Sequence, residues 1–161
     1  MTIFDGLEDF LARSRVAFVM HTHEAAGTMV QARNLSFDLT RIVKTVAFRT
    51  RSGGVVLAAI RGSKRVDYAK LAALLDLKRR DLAPLSAQEV RDLLGVEPGG
   101  VSPLALREDV AVFIDDDVLT IQPTIFCGCG RPDRTLEIAP TDLVNLAKGR
   151  LGRFSRDGQA I

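Results

Sequence analysis

A lysine inside an apolar segment is the feature of this sequence with the clearest chemical meaning. Lys44 lies in the run Ile42–Phe48, whose other members are mostly apolar or β-branched, as in a strand. Burying an ammonium group without a partner is costly, so the strand either carries the head group into water or holds it for a purpose. As a point charge, Lys44 could contact a ribose or a phosphate, or orient an ester.

A glycine-rich segment downstream offers a second set of polar atoms. The segment Gly95–Pro103 contains Pro98-Gly99-Gly100, which predicts a tight turn. The backbone N–H groups of Gly100–Ser102 could face a carbonyl or a phosphate, and preorganised amides of this kind stabilise an oxyanion. Together with Lys44, the segment indicates a small site for an ester or a nucleotide; the alternatives are a surface lysine and a plain turn.

Five short motifs follow one another in an informative order and spacing. They are Lys44-Thr45, the glycine-rich segment 95–103 with Val-Ser-Pro-Leu at its end, Ile114-Asp115, Gly128–Gly130 and Leu136–Ile138. This combination resembles the YbaK/prolyl-tRNA synthetase-associated domain family over residues 15–148. The resemblance depends on the set, since no single motif would be sufficient.

The resemblance implies a fold, an activity and a set of site residues. The family comprises free-standing and synthetase-embedded editing domains that hydrolyse misacylated tRNA, built on a mixed sheet packed by helices. The matching lysine is required there and the matching glycine loop lies against the substrate carbonyl, so Lys44 and Gly100 are the catalytic candidates. The substrate-binding candidates are His23, Gly99, Val101, Ser102, Pro103, Gln122, Gly128, Cys129, Gly130 and Arg131.

Two positions depart from related editing domains. Gln122-Pro123 stands where alanine-clearing domains carry His-Pro, and Gly128 replaces a polar residue of the cysteine-clearing members. The departures leave the amino acid that is removed open. They favour a reaction in which the free hydroxyl of the terminal ribose orders or deprotonates the attacking water, while the protein supplies position and electrostatics.

Two places in the sequence are candidates for contacts with the acceptor end of tRNA, one from the family pattern and one from its position beside the predicted pocket. His23 stands at a strand end where the family often has a histidine, so it either lines the acceptor pocket or is a surface histidine. Arg131, with Arg134, follows the last glycine loop, where either guanidinium could meet a phosphate of the single-stranded end.

A metal site is the main alternative chemistry. Cys127 and Cys129, together with His21 and His23, are four potential zinc ligands, but their spacing lacks the usual C-x-x-C pattern. We expect no metal and no cofactor, and two small side chains shaping a tight loop. The carboxylates of 115–117 are consecutive and cannot all face one ion, so Asp115 is predicted to be a structural cap.

Length and composition limit the class of protein. A chain of 161 residues with 47% hydrophobic and 26% charged residues predicts one soluble domain over 1–161, with a flexible tail at 152–161. No apolar run is long enough to span a membrane and the N-terminus lacks a basic leader, so a cytoplasmic location is expected.

The charge of the chain argues for local nucleic-acid contacts. A net charge of +2 is too small for a protein that grips duplex DNA by neutralising phosphates. The basic clusters that could contact nucleic acid locally, or be solvated faces, are Arg61/Lys64/Arg65, Lys78/Arg79/Arg80 and Lys148/Arg150/Arg153/Arg156.

The elements that must position these residues predict an α+β fold with a mixed, mostly antiparallel sheet packed by several helices. Helices are expected at the apolar periodicity around Leu7, around Leu71, after the capping boxes Thr28–Gln31 and Ser86–Glu89, and from Pro140 to Gly149. Strands are expected at Ala17–Met20, Ile42–Phe48, Val55–Ile60, Val110–Ile114, Leu119–Ile121 and Leu136–Ile138, with a hairpin turn at Ser52–Gly54.

The interpretation that accounts for these motifs is an aminoacyl-tRNA deacylase acting in trans on the ester of a mischarged tRNA. Its partner would be the 3′ acceptor end of aminoacyl-tRNA, with an aminoacyl-tRNA synthetase as a second partner. The alternative is a non-catalytic module that binds the tRNA 3′ end or a synthetase through the same pocket.

Overall fold

The computed structural model describes residues 2, 4–24 and 37–158. Ile3 and the predicted capping box Thr28–Gln31 lie outside the described residues. The α+β class and the mixed sheet are confirmed: five of the seven strand pairings among the described residues are antiparallel.

Of the four helices among the described residues, two begin at a side-chain cap and one at a proline. The side chain of Asp67 accepts the backbone N–H of Lys70, and the capping box of Ser86 and Glu89 is formed in both directions. Pro140 occupies the first turn of the last helix, where its missing N–H costs nothing. The helices are α1 (Leu7–Arg13), α2 (Tyr68–Leu74), α3 (Ala87–Glu89, continued by a π-helical turn at Val90–Leu94) and α4 (Pro140–Ala147).

A five-stranded sheet forms the centre of the molecule. Its order is β5-β2-β3-β6-β9, with antiparallel pairs from β5 to β3 and parallel pairs from β3 to β9. The predicted turn at Ser52–Gly54 joins β2 to β3, with Gly53 in a left-handed conformation at φ +93°. The strands are β2 (Val43–Thr50), β3 (Val55–Arg61), β5 (Leu82–Pro84), β6 (Val110–Asp115) and β9 (Arg150–Gly152).

The described residues also form two smaller antiparallel sheets. One has the order β1-β8-β7 and the other pairs β10 with β4. The strands are β1 (Phe18–Thr22), β4 (Lys64–Val66), β7 (Ile125–Cys127), β8 (Arg134–Ile138) and β10 (Ser155–Asp157).

The five-stranded sheet separates two apolar clusters. Val43, Ala47 and Leu57 point into the larger cluster, which also receives α1, α4 and the three-stranded sheet. Phe48 and Ile60 point into the smaller cluster beneath α2. Because side chains alternate along a strand, each position of β2 and β3 is assigned to one of these two sides.

Two segments differ from their predicted structure. The strand predicted at Leu119–Ile121 is wrong: Asp116–Thr120 is a 3-10 helix, capped by Asp115 as predicted. Residues 152–158, expected in a flexible tail, contribute β10, and Phe154 is fully buried. Short strands of this kind are set by their partners and leave little pattern in the sequence.

None of the described helices combines the length and the apolar character that crossing a membrane requires.

Candidate functional site

Lys44 faces a pocket of about 650 Å³ on the α2 side of the five-stranded sheet. Val46, two residues further along β2, lines the same pocket, whereas the adjacent residue Val43 points into the larger core. The alternation of the strand therefore brings the ammonium group out beside α2. The remaining lining residues are Arg65, Val66, Asp67, Tyr68, Ala69, Arg79 and Arg156.

The pocket is strongly basic. It contains four cationic side chains, and its only carboxylate among the described residues, Asp67, already caps α2 by accepting the N–H of Lys70 at 3.1 Å. Partial burial lowers the pKa of Lys44, and the positive charge of Arg65 lowers it further. An anion bound in this pocket would offset the repulsion between the two cations and favour the charged form of Lys44.

Arg79 and Tyr68 form one wall of the pocket. The guanidinium carbon lies 4.5 Å from the centre of the Tyr68 ring, and Nη1 donates to the carbonyl of Leu82 at 3.2 Å. These two contacts hold the guanidinium over the aromatic ring, and a planar cationic surface of this kind is suited to a nucleotide.

The glycine-rich segment forms the predicted tight turn, a 3-10 helix at Pro98–Gly100. The N–H of Gly100 donates to the carbonyl of Glu97 at 2.8 Å, and the N–H of Val101 to that of Pro98 at 3.4 Å. Two of the three amides proposed for an oxyanion are thus engaged within the turn.

The two glycine loops pack backbone against backbone. The N–H of Gly130 donates to the carbonyl of Gly100 at 2.7 Å. A Cβ atom on Gly128 would lie 2.5 Å from the carbonyl oxygen of Val101, far inside van der Waals contact. The absence of a polar side chain at 128 therefore has a steric reason here.

The side chains that follow Gly100 face inward. Val101, Ser102 and Pro103 are all buried, and the Ser102 hydroxyl accepts the N–H of Leu104 at 3.1 Å. Gly99 is exposed at the outer end of the turn. In this conformation the side chains of Val101, Ser102 and Pro103 pack in the interior and stabilise the loop.

Cys129, Gly130 and Arg131 line a separate hollow of about 340 Å³ against the N-terminal segment around Phe4. The thiol of Cys129 donates to the carbonyl of Arg134 at 3.4 Å. Arg131 is paired with Asp133 at 2.9 Å, which raises the pKa of the guanidinium.

The two histidines lie against the three-stranded sheet, His21 on β1 and His23 directly after its last residue. His23 Nε2 lies 2.8 Å from the hydroxyl of Thr135, and His21 Nε2 lies 2.8 Å from Glu137 Oε1. Phe37 packs edge-on against both imidazoles. Gln122 is exposed and precedes β7.

Sequence reasoning missed the polar network around Glu137. Its carboxylate also accepts from Thr124 and from Arg41, whose guanidinium lies over the ring of Phe126. The hydrogen bonds from Thr124 and His21, together with nearby charge, lower the pKa of Glu137. The sequence did carry a signal for this carboxylate. Glu137 alternates with the buried residues Leu136 and Ile138, so its side chain is expected on the opposite face of the strand.

The structure thus divides the predicted site residues into groups. Lys44 lies on the α2 side, while the glycine loops adjoin the larger core through Val101 and Cys129. His23 contacts Thr135 of β8 in the three-stranded sheet. Four further residues join Lys44 at its pocket. Arg65, Arg79 and Arg156 each belong to one of the basic clusters named from the sequence, although none was assigned to the site, and Tyr68 was not predicted at all.

The potential zinc ligands do not converge. Cys127 points into the larger core, whereas His21 packs on Phe126 at the other side of the sheet. Within residues 2, 4–24 and 37–158, no three His, Cys, Asp or Glu side chains are grouped as a metal site.

Comparison with known proteins identifies the family. The sequence model of the aminoacyl-tRNA editing domain matches residues 23–146, more than two thirds of the chain. The chain belongs to this family. The editing domain is 32% identical over 112 residues to the uncharacterized protein YwhH of Bacillus subtilis, covering 70% of this chain and 69% of YwhH.

Other relatives carry more specific names. A proline–tRNA ligase of Xanthomonas axonopodis is 38% identical over 90 residues, 56% of this chain, and the match spans 15% of the ligase. A protein of Enterococcus faecalis, named as a candidate Cys-tRNA(Pro)/Cys-tRNA(Cys) deacylase, EbsC, is 23% identical over 77% of this chain and 74% of its own.

The fold of the editing domain also has a close structural counterpart. The crystal structure of hypothetical protein APE2540 superposes with a TM-score of 0.83 at 25% identity, covering 94% of this chain and 100% of APE2540.

Proposed function

We propose that the protein is an aminoacyl-tRNA deacylase that hydrolyses the ester of a mischarged tRNA in trans. The observation that carries the proposal is the position of Lys44. In a chain of the editing family, its partly buried ammonium group faces a basic pocket with an aromatic wall. The relatives YwhH and EbsC, in which the matched region makes up most of the protein, support action in trans.

The proposed chemistry uses the charge of Lys44. Its ammonium group donates to the ribose or a phosphate of the terminal adenosine, or to the ester itself, and holds the ester in place. The free hydroxyl of the terminal ribose then orders or deprotonates the attacking water. The protein contributes position and electrostatic stabilisation, and the latter usually lowers the barrier most in reactions of this type.

The glycine loops have a shaping role in this proposal. Gly100 is held between residues 97 and 130 by its two backbone hydrogen bonds, on the larger-core side of the sheet, and we propose that its loop shapes the site from there without entering the Lys44 pocket. Gly128 allows the second loop to approach it. His23, Gln122 and Arg131 remain proposed contacts of the acceptor end.

The proposed partner is the 3′ end of aminoacyl-tRNA, in the cytoplasm, with no cofactor. A prolyl-tRNA synthetase is the proposed second partner, because a proline–tRNA ligase contains a segment related to this chain. The alternative is a module that binds the same tRNA end without hydrolysing it.

The test is deacylation of a panel of mischarged tRNAs by the wild type, by Lys44→Ala and by Lys70→Ala. Lys70 is an exposed lysine of α2 that does not line the pocket, and it serves as the matched control. We expect Lys44→Ala to lower turnover by about 10²-fold or more, as for loss of one preorganised electrostatic group. Its fold should be intact by circular dichroism.

Two results would decide against the proposal. Wild-type turnover by Lys44→Ala on every tRNA that the wild type clears would remove Lys44 from the reaction. Binding of tRNA with no hydrolysis of any member of the panel would favour the non-catalytic module.

A further inference from the structure

Two arginines stand directly opposite each other at the mouth of the Lys44 pocket. In the antiparallel register of β10 and β4, Arg156 pairs with Arg65, and both are exposed. Like charges directly opposite in a sheet are destabilising. A fold that keeps this pair at a concave surface gains from an anion placed between them.

No carboxylate of the described residues supplies that anion. Arg65, Arg79, Arg156 and Lys44 all line the pocket, and none of them lies within ion-pair distance of an Asp or Glu there. By contrast, Arg61 and Lys64, on the same β3–β4 segment, both pair with Asp117. The positive field is therefore concentrated in the pocket.

The position of Arg156 is fixed by the core. The segment before it is held by Asp115, which accepts the N–H groups of Phe154 at 2.8 Å and Ser155 at 3.0 Å. Arg156 thus belongs to an ordered strand, which reduces the entropy lost when its planar guanidinium pairs with a tetrahedral oxyanion.

The wall formed by Tyr68 and Arg79 indicates which class of anion the pocket accepts. Tyr68 lies in the same pocket as the arginine pair with the guanidinium of Arg79 over its ring, and the exposed Arg79 guanidinium provides a plane on which a base can stack. A volume of about 650 Å³ is sufficient for more than an isolated phosphate ion.

We propose that Arg65 and Arg156 form a subsite for phosphate groups of a nucleic-acid backbone, the phosphodiesters of the single-stranded 3′ end of tRNA. The choice of tRNA as the source of these phosphates rests on the proposed function. The phosphate subsite itself rests on the arginine pair and the pocket.

The test measures binding of uncharged tRNA to Arg65→Gln, Arg156→Gln and the control Arg153→Gln as a function of salt. Arg153 is near Arg156 in the chain, but its side chain is 91% exposed and lies near Asp116, outside the pocket. We expect each pocket variant to lower the slope of log K against log salt by about 0.7, the value for one single-strand phosphate contact. Arg153→Gln should keep the wild-type slope.

Thermal unfolding without tRNA provides an independent measurement. Because Arg156→Gln removes like-charge repulsion, its melting temperature should equal or exceed that of the wild type while its tRNA binding weakens. A merely structural arginine would show the opposite, with lower stability. Wild-type binding and wild-type salt slopes in both pocket variants would overturn the subsite.

Competition identifies the source of the phosphate. A CCA trinucleotide should displace tRNA and should bind Arg65→Gln more weakly than it binds the wild type. Inorganic phosphate and AMP serve as free-phosphate probes; displacement by AMP at concentrations below those of the trinucleotide would overturn the backbone assignment. Binding of uncharged tRNA involves no ester, so it tests the subsite separately from the reaction. If the pocket variants bind uncharged tRNA more weakly but the wild type deacylates no mischarged tRNA, the proposed function is contradicted and the subsite stands.

Discussion

Asp115, at the end of β6, accepts the backbone N–H of Phe154 at 2.8 Å. The same buried carboxylate also accepts from the N–H and hydroxyl of Ser155 and from the N–H of Asp117. One side chain therefore joins the central sheet, the 3-10 helix that follows it and the C-terminal segment. Since that segment carries Arg156 to the Lys44 pocket, the pocket depends on Asp115.

We expect Asp115→Ala to lower the free energy of unfolding by about 3 kcal/mol, because it leaves several buried donors without an acceptor. Asp116→Ala is the matched control: its carboxylate is about half exposed and lies 3.9 Å from Arg153. Chemical denaturation of both variants checks this. Equal stability of the two variants would show that water replaces Asp115 without cost.

The rate of deacylation should decrease as the pH rises, and the decrease should occur below the pKa of an ordinary lysine. Burial and Arg65 lower the pKa of Lys44, so its charged form is lost earlier as the pH rises. After subtraction of enzyme-free hydrolysis, turnover should decrease through this lowered pKa. Arg65→Gln removes the repulsion and should move the decrease in turnover to higher pH. Any turnover that Lys44→Arg retains should not decrease in this pH range.

The sign for stability is opposite to that for activity. The folded pKa of Lys44 lies below the unfolded one, so the unfolded state binds more protons between the two values. The contribution of Lys44 to stability therefore increases with pH over that window. A profile of turnover that is unchanged in Arg65→Gln would contradict the coupling between the two cations.

Replacing Gly128 should separate the two glycine loops. In Gly128→Ala the new Cβ would lie 2.5 Å from the carbonyl oxygen of Val101, so backbone atoms must move. We expect a loss of about 1–3 kcal/mol in stability, as for overpacking, and a lower rate of deacylation. Gly54→Ala is the control, because its Cβ meets only the Thr50 hydroxyl, at 3.2 Å, which can rotate.

A second glycine tests the proposed role of the loops in shaping the site. Gly100→Val places its side chain against the backbone of Gly130 and Arg131, 3.3 to 3.6 Å from the Cβ position. Deacylation should fall in this variant as well. Full activity of both Gly128→Ala and Gly100→Val would mean that the loops do not shape the site.

Neither thiol should be needed for the reaction. Burial raises the pKa of Cys127 and of Cys129 above the usual thiol value, so the reactive thiolate is scarce at neutral pH. The double variant Cys127→Ala/Cys129→Ser should keep most deacylase activity per folded molecule. Alanine is chosen at 127 to avoid burying a hydroxyl in the apolar core.

Treatment with a chelator complements the thiol variant and should leave the rate unchanged. Stoichiometric zinc in the purified protein, with activity lost on chelation and restored by zinc, would instead establish a metal enzyme.

Local features of this protein were readable from the sequence alone. The capping box of Ser86 and Glu89, the turn at Ser52–Gly54, the cap at Asp115 and the strand around Lys44 all formed as predicted. These features depend on contacts within a few residues, or on the alternation of one strand, and so their signals are local. The order of its motifs also pointed to the editing family, which the comparison confirmed.

Tertiary structure decided which residues meet. The sequence identified Lys44, but the pairing of β10 with β4 is what brings Arg65 and Arg156, which are far apart in the chain, to its pocket. It also turned Leu119 into part of a 3-10 helix and buried Phe154 in a segment expected to be flexible. Short edge strands and anchored ends gain their stability from distant partners, and no local pattern records which partner that is.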